Sequence, residues 1–115
     1  MTSKKSIGKQ GEDYAYQYLL HNGFDILATN WTKNRGELDL VCKKSETLVV
    51  VEVKTRTTSD YGEPHEGITG AQQEKLIETA EAYMEEHNLD LELRFDIISI
   101  VLRPQLELEH IQDAF

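Results

Sequence analysis

The chain has 115 residues, 39% apolar and 29% charged, with one Cys, which fits a single folded domain over residues 1–115 and argues against disorder. Its formal net charge of −9 stands against nucleic acid and anionic membrane as partners, because both attract basic surfaces. The longest aliphatic run, Leu48-Val49-Val50-Val51, is far short of the ~20 residues that cross a bilayer, so no membrane partner is expected.

The first eight residues carry Lys4 and Lys5 with no apolar stretch behind them, which predicts no secretory signal and a cytoplasmic protein. From Ile7 onward Gly11, Tyr14, Ala15, Tyr18 and Leu19 recur at three- and four-residue intervals until Asn22-Gly23, the pattern of an amphipathic helix and its stop. Residues 24–27 read as a short strand, and residues 36–43 and 47–56 as two longer strands joined in a hairpin. Cys42 has no second Cys and no His at zinc-ligand spacing, so it reads as a small apolar strand residue. Residues 57–70 contain Tyr61 and four Gly or Pro positions, Gly62, Pro64, Gly67 and Gly70, and read as a long mobile loop of functional length. Leu76, Ile77, Ala80, Tyr83 and Met84 predict a second helix over 71–87 with an acidic outer face. Residues 95–102 are almost continuously apolar, as a strand covered on both sides would be, whereas Leu106, Leu108 and His110 alternate with Glu107, Glu109 and Ile111 like an edge strand. The order predicts an α/β domain: a mixed five-stranded sheet flanked by two main helices.

Ionisable groups interrupt the hairpin's apolar strands. By strand alternation Glu37 and Asp39 share one face of the first strand, and Glu52, Lys54 and Arg56 one face of the second. If Ser45-Glu46 forms a two-residue loop, paired numbers sum to 91 and Asp39 lies opposite Glu52, with Cβ atoms about 4.5 to 5.5 Å apart; a loop two residues longer brings Glu37 opposite Glu52 instead. Opposed, desolvated carboxylates repel and ask for a cation beyond Lys54. Mg²⁺ prefers one or two carboxylates with water and phosphate completing its shell, and there it could polarise a phosphodiester. The same residues also fit the solvated faces of half-buried strands, and spacing alone leaves both readings open.

Asp39, a twelve-residue gap and Glu52-Val53-Lys54 resemble the signature of the PD-(D/E)xK nucleases, the restriction-endonuclease-like superfamily. Around them stand residues 8–15 (Gly-Lys-Gln-Gly-Glu-Asp-Tyr-Ala), Asn30-Trp31, Gly36-Glu37-Leu38-Asp39-Leu40-Val41, Val51-Glu52-Val53-Lys54-Thr55-Arg56, Lys75, Arg94-Phe95-Asp96-Ile97-Ile98 and Ala114-Phe115. Together they resemble the YraN family of small bacterial proteins, regarded as Holliday-junction-resolvase-like predicted endonucleases. The resemblance implies an α-β-β-β-α-β core plus an edge strand, with the site at the hairpin. It implies Asp39 and Glu52 as ligands of Mg²⁺ or Mn²⁺, Lys54 as catalytic lysine and Glu12 as a further ligand or water-mediated contact. Glu37, Arg35, Arg56, Gln72 and Lys75 become candidates for supporting or phosphate contacts. Without the resemblance, Glu12 reads as an exposed helical acid and Lys75 with Gln72 as a solvated helix face.

The charge objection weakens when the chain is divided. Residues 1–57 hold 9 basic and 7 acidic side chains, and the remainder 3 and 14, so the acidity resides away from the proposed site. Lys4, Lys5, Lys9, Lys33, Arg35, Lys43, Lys44 and Arg56 flank that site, where phosphate contacts would form. The leading expectation is a metal-dependent endodeoxyribonuclease acting on branched DNA. The alternative is an inert nucleic-acid- or protein-binding module that keeps the nuclease fold. A homodimer through the last strand is compatible with either.

Overall fold

In the computed structural model, which describes residues 4–58 and 68–115, α1 (Lys4–His21) is followed by β1 (Asp25–Lys33), β2 (Gly36–Lys44), β3 (Thr47–Arg56), α2 (Gly70–Glu86), β4 (Glu92–Val101) and β5 (Glu107–Ile111). The strands form one sheet in the order β1-β2-β3-β4-β5. Only β3 and β4 run parallel, joined by the α2 crossover, and the other neighbours are antiparallel. This is the expected mixed five-stranded sheet with two helices, with the last strand at an edge. Tyr61 and most of the loop read over 57–70 lie outside the described residues.

The sequence pattern places the helices on opposite faces. Ala15 and Leu19 of α1 join Leu40, Cys42, Val49, Val51, Ile98 and Ile100 in one core. Ala80 and Tyr83 of α2 join Leu38, Val41, Leu48, Val50 and Phe95 in the other. Continuous apolar runs in β3 and β4 follow directly, since successive side chains feed alternate cores. Cys42 is sealed in the first core, where burial pushes its thiol up to about 12, which agrees with an apolar role. α1 stops in a Schellman turn, with Gly23 at φ 81 and the Phe24 N–H donating to the Leu19 carbonyl at 3.0 Å.

Two elements run longer than the sequence suggests. β1 continues past residue 27 to Lys33 although Thr29, Asn30 and Thr32 are polar and exposed; antiparallel pairing with β2 through a two-residue Asn34-Arg35 turn overrides its weak apolar signal. β4 begins at Glu92 rather than 95, because its parallel ladder with β3 starts at Thr47 opposite Glu92.

Gly36, the first residue of β2, lets that strand lie directly on α2. A Cβ there would stand 1.9 Å from Thr79 Oγ1, a distance no packed structure tolerates. Gly36→Ala is therefore expected to cost about 1 to 3 kcal/mol by overpacking. Removing the obstructing hydroxyl in the Gly36→Ala, Thr79→Ala double variant recovers part of that loss. Chemical denaturation of Gly36→Ala, Thr79→Ala and the double variant checks this, and additive losses would contradict it.

Candidate functional site

The β2–β3 hairpin turns on Ser45-Glu46, and its register pairs Lys44 with Thr47 through Leu40 with Val51, each pair summing to 91. The ladder ends there. One step further the carboxylates take over the strand-to-strand bonds: the Asp39 N–H donates to Glu52 Oε2 at 3.2 Å, and the Val53 N–H donates to Asp39 Oδ2 at 2.9 Å. Each acid thus reaches across and holds the backbone of the opposite strand.

The regular alternation expected of β2 fails at this point. Leu38 and Leu40 would share a face in an unbroken strand, yet Leu38 packs in the α2-side core and Leu40 in the α1-side core. β1 slips in step: Ala28 and Trp31, three apart, both pack against the α2-side core. Between them Asn30, which falls between the pairs Thr29–Leu40 and Trp31–Leu38, has φ 49. The expectation that simple alternation aligns Glu37 with Asp39 is corrected accordingly, since the pleat is broken at Asp39 itself.

Electrostatics follow from this partial burial. Burial pushes Glu52 up to about 8, reinforced by the charge of Asp39, with Lys54 and the Asp39 N–H pulling the other way. Burial likewise pushes Asp39 up to about 6; the Val53 N–H opposes it, while the charges of Glu12 and Glu37 add to it. The two acids therefore resist ionising together, and Lys54 only partly compensates.

On the α2 side a cleft of about 210 Å³ is lined by Arg35, Glu37, Glu52, Lys54, Gln72 and Lys75, among others. All six are residues singled out from the sequence. Arg35 reaches it from the β1–β2 turn, where Asn34 and Arg35 both hold positive φ, 51 and 68. Such a turn ordinarily takes Gly at its second position, so Arg35 is held in a costly conformation. Lys75 anchors that turn by donating to the Asn34 carbonyl at 2.8 Å. Gln72 caps α2: its Oε1 accepts from the Thr69 N–H while Thr69 Oγ1 accepts from the Gln72 N–H. Both therefore have structural duties the sequence does not announce.

Glu12 comes from the opposite face. Its Oε1 is sealed from solvent without a hydrogen-bond partner, and its charge acts on Asp39. Arg56 is not brought to the cleft; its Nη2 lies 3.5 Å from Ser99 Oγ on β4. Among the described residues no three His, Cys, Asp or Glu side chains are gathered closely enough to hold an ion as they stand, so the geometry provides a carboxylate pair and not a triad. No helix among the described residues is long and apolar enough to cross a membrane.

The sequence profile of "Uncharacterised protein family UPF0102" matches residues 11–100. UPF0102 proteins similar to the chain occur in Flavobacterium psychrophilum, 40% identical over the whole chain and 98% of the relative, and in Dictyoglomus turgidum, 38% identical over 98% of the chain and 99% of the relative. A third, from Clostridium beijerinckii, is 37% identical over 96% of the chain and 94% of its own length.

Proposed function

The chain belongs to uncharacterised protein family UPF0102, and for it we propose divalent-metal-dependent hydrolysis of phosphodiester bonds in DNA. The observation that carries the reading is the crossed pair, Asp39 on the Val53 N–H and Glu52 on the Asp39 N–H, with Lys54 beside it. The strand contacts need only an acceptor, which Asn or Gln would also supply, so folding alone gives no reason for two acids where both resist ionisation. The finer likeness to YraN proteins and PD-(D/E)xK nucleases supports the same reading, because Asp39, Glu52 and Lys54, the residues it makes central, lie together at the hairpin.

The residues present fit Mg²⁺ or Mn²⁺. A carboxylate offers about four acceptor positions, and one bond from each acid is spent on backbone. Asp39 and Glu52 would hold the ion directly, and the partnerless Glu12 Oε1 would accept from a water in its shell. Two carboxylates with water and substrate phosphate are what Mg²⁺ ordinarily takes. When bound, the ion supplies Lewis-acid polarisation of the phosphate and a more acidic water. The protein's part is positional: the crossed bonds fix both acids, Lys54 offsets charge accumulating on the phosphate, and Arg35 and Lys75 give the cleft the cations that a phosphate needs.

Linear, flapped and four-way DNA incubated with the protein and Mn²⁺ tests the proposal. Cleavage is expected, and Lys54→Ala should slow it about 10² to 10³-fold, as removal of one transition-state donor does elsewhere. Equal cleavage by the variant would point to a contaminating nuclease and sink the assignment.

A further inference from the structure

A second cleft lies across the sheet from the one just described. It encloses about 920 Å³ and is lined by Lys9, Glu12, Asp13, Tyr16 and Gln17 of α1, with Asn30 of β1 among the residues facing them. Its origin is a sequence peculiarity. α1 buries Gly11, Ala15 and Leu19 against the sheet, and beside these the polar Glu12 and Tyr16 are half-buried, while Lys9 and Asp13 pair with each other at 3.6 Å in solvent. Packing does not require that arrangement, because a stripe facing a sheet ordinarily carries apolar side chains and closes the gap.

The two clefts differ in chemistry. The α2-side cleft has three cations, Arg35, Lys54 and Lys75, against the carboxylates of Glu37 and Glu52. The α1-side cleft reverses the balance, with Lys9 against the carboxylates of Glu12 and Asp13, together with an aromatic ring and two carboxamides. Tyr16 is half-buried, with one side packed on the core. Gln17 and Asn30 each carry a donor and an acceptor, the complement of a base edge. The α1-side cleft approaches the crossed carboxylates through two of its lining residues: Glu12, whose charge acts on Asp39, and Leu40, the next residue along β2.

We infer that the α1-side cleft binds one unpaired nucleobase of the strand whose phosphate lies at Asp39 and Glu52. This rests on the hydrolytic reading for the identity of the ligand. A base within a duplex has its edge occupied and its faces stacked, so only an unpaired or extruded nucleotide could reach Tyr16 and Asn30 while its neighbouring phosphate stays at the rim. The volume suits a nucleotide, since small-molecule sites commonly span about 300 to 1,000 Å³. The substrate class thereby narrows from DNA in general to DNA with a single-stranded segment at the point of cleavage.

The test uses the protein in EDTA, so that no cleavage intervenes, titrated with a single-stranded deoxynucleotide hexamer and with a blunt duplex of the same sequence. The hexamer is expected to bind more tightly. Tyr16→Leu, which keeps an apolar group on the core, should weaken hexamer binding about tenfold, the worth of one stacked base. Asn30→Gly, which keeps the left-handed backbone, should weaken it as well. Duplex binding as tight as the hexamer's, or hexamer binding unchanged in both variants, would overturn the inference. The hydrolytic reading fails separately: Tyr16-dependent hexamer binding without Mn²⁺-dependent cleavage upholds the pocket and removes the reaction, and cleavage with Tyr16-independent binding does the reverse.

Discussion

Replacing Glu52 by Gln should make the metal-free protein more stable at pH 8 while reducing Mn²⁺-dependent cleavage by more than about a hundredfold, beyond the cost of changing a residue that only orients a metal's ligands. The carboxamide oxygen can still accept from the Asp39 N–H, so the strand contact survives and only the charge is lost. The sign follows from the direction of the shifts. Asp39 and Glu52 are raised from 3.8 and 4.5 to about 6 and 8, so folding disfavours their ionised forms. Well below pH 4 both are protonated in the folded and the unfolded chain, and they impose no penalty. As pH rises the unfolded chain ionises near the ordinary 3.8 and 4.5 and the folded one only near 6 and 8, so stability is lost between those limits. Glu52→Gln removes most of that loss, about 2 kcal/mol after allowance for the solvent that still reaches the half-buried site, or roughly 6 °C in melting temperature for a domain of this size. Thermal scans at pH 4, 6 and 8 should show variant and parent together at the acid end and diverging toward pH 8. In Mg²⁺ the parent alone should regain stability, because the ion binds only the folded, ionised pair. A variant less stable than the parent at pH 8 would mean that Glu52 serves the fold and not a ligand.

This trade of stability for an acid pair also explains what the sequence disclosed. The hairpin register was legible because a period of two and a short polar turn leave few alternatives, and Lys44 opposite Thr47 follows from them. That Asp39 would leave the ladder and bond to Val53 was not legible, because it depends on a break in the pleat shared by two strands. The left-handed Asn30 lies in a segment whose apolar signal is too weak to read even as strand. Arg35 and Lys75 could be named as cations near a site. That one sits strained in a tight turn and the other grips that turn's carbonyl is a tertiary fact, set by how α2 lies on β2. Glu12 shows the limit from the other side: as a helical acid it looks ordinary, and only the packing of α1 seals its Oε1.

Asp96, singled out in the sequence only within the stretch from Arg94 to Ile98 that carries the family likeness, supports the second large prediction. Asp96→Asn should destabilise the protein by about 3 to 5 kcal/mol, the cost of breaking a buried ion pair by removing one charge, and lower the melting temperature by roughly 10 to 20 °C. Asp96 is 0% exposed. Its Oδ1 accepts from Arg94 Nε and the Asp113 N–H, each at 2.9 Å, and its Oδ2 accepts from Arg94 Nη2 at 2.8 Å and lies 2.7 Å from His110 Nε2. Behind it, His110 Nδ1 meets the Tyr18 hydroxyl at 3.0 Å. Burial pushes the Asp96 carboxyl up most strongly, but His110, Arg94 and the Asp113 N–H together outweigh it and hold it below its ordinary 3.8. Its contribution is therefore present above about pH 4 and lost as pH falls through the lowered folded value, the opposite sense to Glu52. Asn turns an amide N–H₂ toward an Arg94 nitrogen, which only donates, and leaves the Arg94 cation without its charged partner. The damage should be local first. Asp96 ties β4 to β5 through His110 and to the chain end through Asp113, where the Ala114 N–H also donates to the Phe95 carbonyl at 2.7 Å and Phe115 stacks on Phe95. Hydrogen exchange in Asp96→Asn should accelerate in residues 107–115 before it does in β2. β4 is also the parallel neighbour of β3, with Asp96 opposite Val51 and Ile97 opposite Glu52. Loosening this latch should therefore weaken Mn²⁺ binding without removing a ligand. Mn²⁺ affinity unchanged in a chain that has lost its β5 protection would separate the latch from the site.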